Sequence, residues 1–100
     1  MPVVVVVSTF PSADKAAEIA RVLVDEGLAA CVNLLPVQSI YRWKGAVQNE
    51  TETLALIKTA EPDALIARLV ALHPYELPEA IALPITSGHA PYLAWLAGSR

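Results

Sequence analysis

The sequence predicts a small α+β fold, a two-layer sandwich with two main helices on one face of a four-stranded sheet. Three observations predict it. The run Val3–Val7 is β-branched throughout and has no polar alternation, the pattern of a strand buried on both faces. Two later stretches carry apolar residues at helical spacing. Between them lie two long extended runs joined at Lys44-Gly45. With 100 residues, 55% hydrophobic and only 17% charged, the chain reads as a single domain over 1–100. A domain this small has more apolar residue than interior, so subunit contacts are expected to take the surplus.

The first strand runs from Val3 to Ser8. Pro11 and Ser12 end it, and Ser12 suits the N-cap of a helix with Asp14 in its first turn. Ala16, Ile19, Ala20 and Leu23 form that helix's apolar stripe, and Gly27 stops it. From Leu28 to Lys44 the chain is extended, with an interruption at Pro36 that points to an edge strand or a bulge. In "VQSIYRW" the residues Val37, Ser39, Tyr41 and Trp43 share one side. After the Lys44-Gly45 turn, "AVQNETETLALIKT" makes a second long arm, polar first and apolar later. Each arm reaches a dozen residues or more, about twice a typical strand of five or six. The turn end of this hairpin should therefore project beyond the domain.

Pro62 fits the first position of a second helix, with Leu65, Leu69 and Leu72 as its stripe and an end at His73 before Pro74. "EAIALPITS" is a last strand, placed at an edge by Pro84, and Pro91 opens a short closing helix. The order β–α–β–β–α–β plus a short helix is the split βαβ, ferredoxin-like arrangement, in which the first strand is central. The two main helices then hide one face of the valines and nothing within the chain hides the other. Burying a Val is worth about 1.5 kcal/mol or more, against about 5–15 kcal/mol for a whole small domain. The bare face should be an interface between subunits, with the hairpin reaching across to a neighbour and a ring closing the assembly.

Charge and composition narrow the function classes. The net charge is −3, and the seven Lys and Arg form no basic stripe, so nucleic acid is disfavoured as a partner. One cysteine, Cys31, excludes an internal disulfide framework and a thiolate cluster. The N-terminal apolar run stops at Val7, too short for a signal peptide or a membrane span, and a cytoplasmic location without membrane contact is expected.

The segments "LAACVN", "YRWKG", "IKT", "HPYELPE" and "YLAWL" closely resemble the CutA divalent-cation-tolerance proteins, in order and spacing and over nearly the whole chain. The resemblance implies a ferredoxin-like homotrimer built like the nitrogen-regulatory PII proteins, involved in the response to metal ions and binding copper or another divalent cation. Some relatives carry a cysteine where this chain has Ser8 and a further histidine where it has Leu72. Of those ligands His73 alone carries over, with Glu79 beside it, so weak metal binding is the expectation.

The residues themselves leave more than one reading. In "HPYELPE" two prolines hold His73, Tyr75, Glu76 and Glu79 on a stiff segment, suited to Cu(II) or Zn(II) ligation or simply to a rigid helix-to-strand connection. Trp43, Lys44, Glu50, Lys58 and Tyr75 could line an inter-subunit cleft receiving a small anion or a partner protein, as a PII-like signalling trimer would. The alternative has Tyr41 and Trp43 as packing anchors and Glu50 and Glu52 in inter-subunit ion pairs. Cys31 reads as a buried, inert thiol, and Tyr92 and Trp95 as the docking stripe of the last helix. Catalysis is not expected: an acylphosphatase-like enzyme needs an arginine in the loop after the first strand, and "STFPSAD" has none.

Overall fold

The computed structural model describes residues 2–98. Its elements run β1 (Val4–Phe10), α1 (Ala13–Asp25), β2 (Cys31–Trp43), β3 (Ala46–Thr59), α2 (Pro62–Leu72), β4 (Ile81–Pro84) and α3 (Ala90–Gly98). One antiparallel sheet has the order β2-β3-β1-β4, so the valine strand is central and both proline-bearing strands are edges, as the ferredoxin-like prediction required.

Local chemistry accounts for the element ends. The Ser12 side chain accepts from the Lys15 N–H at 3.1 Å, capping α1. At the other end Gly27 (φ 74°) makes a Schellman turn, with its N–H on the Val24 carbonyl and that of Leu28 on the Leu23 carbonyl. Arg68 of α2 grips Glu26 with two bonds of 2.9 and 2.8 Å, tying the two helices together and holding the Glu26 carboxyl below its ordinary range.

Ala16, Ile19 and Leu23 of α1 and Leu65 and Leu69 of α2 pack on Val6, Phe10, Ala55 and Ile57 of the sheet. Ser8 faces the same side, fully buried, and among the described residues its Oγ has no hydrogen-bond partner. An orphaned hydroxyl in an apolar setting costs free energy. Ser8→Ala is therefore expected to stabilise the fold by about 1 kcal/mol, read as a rise in the urea midpoint at unchanged m-value.

Three expectations are corrected. Pro36 does not interrupt β2: pairing with β3 holds one register from Cys31↔Lys58 to Trp43↔Ala46 without a bulge, because the proline's missing N–H sits on an edge strand. The last strand is four residues long rather than spanning "EAIALPITS": its pairing with β1 runs only from Val4↔Pro84 to Val7↔Ile81, although β1 itself continues to Phe10. The face away from α1 and α2 is not wholly bare. Lys58 points to it and donates to the Tyr92 hydroxyl at 3.3 Å, so α3 lies on that side of β3. Leu96 is the buried anchor of α3, whereas Tyr92 and Trp95 stay exposed and pack on each other at 5.5 Å.

Among the described residues, Ala46–Glu52 of β3 pair with no strand but β2, so the turn ends of both arms stand out as a two-stranded ribbon. Fourteen strand residues at about 3.3 Å each account for the 45 Å long axis. The turn closes in two residues, Lys44 (φ 50°) and Gly45 (φ 81°), both in the left-handed region that a primed hairpin turn demands.

Candidate functional site

The site grows from the segment between α2 and β4. Pro74 forbids helix at His73, which adopts an extended backbone (φ −70°, ψ 137°) and turns the chain beneath the end of β1. There the His73 ring stacks on Phe10, centroids 4.6 Å apart and planes 18° from parallel. Its Nε2–H donates to the Thr9 carbonyl at 2.8 Å, and its Nδ1 accepts the Tyr75 N–H at 3.1 Å. This double use fixes the neutral Nε2-protonated tautomer.

The clamp sets the next residues against the projecting ribbon. Tyr75 lies 4.9 Å from the His73 ring and donates its hydroxyl to Glu52 Oε2 at 2.5 Å. Glu52 is only 6% exposed. Further out, Glu76 approaches Lys44 of the turn at 3.8 Å. Between ribbon and segment opens a cleft of about 660 Å³. Its walls carry the rings of Tyr41, Trp43 and Tyr75, and four carboxylates, Glu50, Glu52, Glu76 and Glu79, face it. Desolvation first, then the bond and charge of Glu52, pushes the Tyr75 hydroxyl far above its ordinary pKa. Tyr41 is shifted the same way by desolvation and by the charge and hydrogen bond of Glu50. The Tyr75 phenol is thus held as a donor to Glu52.

Trp43, Glu50 and Tyr75 line this cleft within one chain, with Lys44 at the rim. Lys58 does not join them. Eight residues of strand put it about 26 Å from Glu50, beside Tyr92 of α3. With Lys58 away from it and Lys44 facing Glu76, Arg42 is the cation left among the described residues that line the cleft. The expected metal pair is not assembled either: Glu79 faces the cleft exposed, whereas His73 is buried under Phe10 with both ring nitrogens bonded to backbone. Ser8 and Leu72 bring no donor to it, the first lying in the core and the second packing against it. Among the described residues no three His, Cys, Asp or Glu gather as a metal cage. Cys31, expected buried, is half-exposed beside Lys58.

Glu52, Tyr41 and Glu76 were not singled out as cleft residues. The alternation of Glu50 with Glu52 pointed both carboxylates to one face. The burial of Glu52 comes from Tyr75, which is distant in sequence and left no local signal.

Burial holds the His73 pKa below 6.5, with the Thr9 bond and the Glu52 charge acting the other way. A histidine kept neutral when folded binds fewer protons than it does unfolded, so stability falls as pH drops from about 6.5 towards the lower folded value and levels below it. The urea midpoint is expected to decline across that interval, and His73→Gln to flatten the decline.

A ferredoxin-like α+β protomer with a long projecting hairpin and an acidic, aromatic cleft beneath it is the class of protein these features define. Residues 4–99 match the family model of the CutA1 divalent ion tolerance protein. The divalent-cation tolerance protein CutA of Thermus thermophilus is 50% identical over 92% of each chain, and the mouse protein CutA is 47% identical over 88% of this chain. The chain spans 92% of the Thermus relative but 51–58% of the plant and mammalian relatives from rice, Arabidopsis, mouse and human. Among solved structures, the Thermus protein superposes with a TM-score of 0.91 at 48% identity over 97% of each chain. CutA of Xylella fastidiosa gives 0.89 at 49% identity, over 93% of this chain and 92% of that one. The chain belongs to the CutA family of divalent-cation tolerance proteins.

Proposed function

We propose that this chain serves divalent-cation tolerance without catalysing a reaction, as a PII-like homotrimer in the cytoplasm whose hairpin cleft is its ligand site. The observation that carries this reading is the sheet face that α3 leaves uncovered. Ile81 and Leu83 of β4 are 52% and 50% exposed, and Leu35 of β2 is exposed on the same face. Apolar surface of this kind marks a contact, and a ring of copies buries it on every subunit. The family gives the divalent cation; a relative from Archaeoglobus fulgidus is described as periplasmic and the rice one as chloroplastic, so location varies among the proteins it resembles. Copper or another divalent ion would be held only weakly here, by separate cleft carboxylates such as Glu50, Glu76 and Glu79 rather than by a closed cage, because His73 is spent on backbone and no three ligands gather among the described residues.

Sedimentation equilibrium over a wide concentration range should return three times the chain mass; a stable monomer throughout overturns the assembly. Copper titrated calorimetrically into metal-free protein should give shallow heats that vanish in a Glu50→Gln, Glu76→Gln, Glu79→Gln variant. Unchanged heats in that variant would remove the cation from the cleft.

A further inference from the structure

We propose that the cleft under the hairpin binds an organic cation, a small molecule carrying protonated amine or guanidine groups, between its aromatic rings and its carboxylates. This rests on the reading of the cleft as the ligand site and names the ligand class. Four observations lead there.

The first is hydrogen-bond polarity. The Tyr75 hydroxyl proton is already given to Glu52. What that pair and the neighbouring carboxylates still present to the cleft is acceptor capacity, so the complementary ligand is a donor. The second is Glu52 itself. A carboxylate more than nine-tenths buried is ordinarily paired with a cation, yet among the described residues only the Tyr75 hydroxyl meets it, through one oxygen.

The third is the count of charge. Glu50, Glu52, Glu76 and Glu79 line the cleft against, among the described residues, one cation, Arg42, whose guanidinium leans on the Gly45 carbonyl at 3.4 Å. Lys44 at the rim is shared with Glu76. An anion would meet net repulsion.

The fourth is the walls. Trp43, Tyr41 and Tyr75 are poor partners for a hydrated metal ion, which needs several oxygen ligands to replace its water. Ring faces do attract organic cations, best when these are partly desolvated, and the Trp43 ring already draws the Lys44 ammonium to 5.6 Å. A cleft of about 660 Å³ accepts a molecule of several carbons rather than a bare ion.

The test uses the full chain carrying Trp95→Phe, so that Trp43 is the one remaining tryptophan and its fluorescence reports the cleft. Protonated 1,4-diaminobutane is titrated at neutral pH and low salt, with succinate, a dianion of equal carbon count, as the matched control. A saturable change with the diamine, none with succinate, and binding weaker by about tenfold or more in Glu50→Gln with Glu52→Gln support the proposal. Equal or better binding of succinate, no saturation with the diamine, or unchanged titration in the double variant overturns it. Circular dichroism of the double variant confirms that it is folded; if it is not, Glu50→Gln alone, which leaves the Glu52–Tyr75 bond in place, is titrated instead. Sedimentation of the same samples separates the two readings. A trimer that ignores the diamine sinks the ligand class alone, and a monomer that binds it keeps the ligand class and sinks the assembly.

Discussion

Phe10→Ala is expected to cost about 3–5 kcal/mol, seen as a large fall in the urea midpoint or as failure to fold at physiological temperature. Phe10 is 1% exposed at the end of β1, packed in the same cluster as Val6, Ile19, Leu65 and Leu69. Truncation removes the ring's contacts and leaves a cavity that rigid neighbours fill poorly. A second loss follows from the stacking on His73. That ring holds the Thr9 carbonyl and the Tyr75 N–H at once, so the segment which places Tyr75 and Glu76 depends on it. Phe10→Leu, which retains much of the volume but no ring face, should recover most of the stability while leaving His73 less firmly placed. Near-neutral titration of the His73 ring by NMR checks this: without the stack its pKa should return towards 6.5. A Phe10→Ala variant within 1 kcal/mol of the parent would mean that the core does not centre where the packing puts it.

Much of this arrangement was written in local pattern. The five valines announced a central strand because β-branching and the lack of alternation have few other solutions, and β1 lies between β3 and β4. The stripes of Ala16, Ile19, Leu23 and of Leu65, Leu69 became the buried faces of α1 and α2 because helical spacing maps directly onto one side. The hairpin's reach followed from the length of its arms.

What stayed illegible depends on partners far apart in the chain. The four-residue span over which β4 pairs with β1 did not show in its own propensity. In α3, Tyr92 and Trp95 were as plausible a stripe as Leu93 and Leu96, and only the position of β3 decides between them. His73 looked like a ligand because an imidazole just ahead of Pro74 carries no sign of what lies above it. Thr9, sixty-four residues earlier, takes one of its nitrogens. The carboxylate of Glu52, which the sequence offers for an inter-subunit ion pair, is instead closed over within the chain by Tyr75.

On the proposed trimeric reading, Leu83→Glu is expected to give a monomer while leaving the chain folded. Leu83 pairs with Val5 on the open face and is half exposed in the single chain, so a carboxylate there remains solvated and the fold loses little. In the proposed ring the same position recurs on every subunit against apolar surface. Each buried carboxylate would then lack a partner, a cost of several kcal/mol per ion, larger than the leucine contact it replaces. Proline at position 84 and the short length of β4 keep that edge from adding strands indefinitely, which is what a closed ring rather than a fibre requires. Far-ultraviolet circular dichroism should match the parent while light scattering reports one chain mass. Trimer persisting in Leu83→Glu would place the subunit contact away from β4, and the exposed pair Ile40 and Val47, flanking the hairpin turn on the opposite face, would be the surface to charge next.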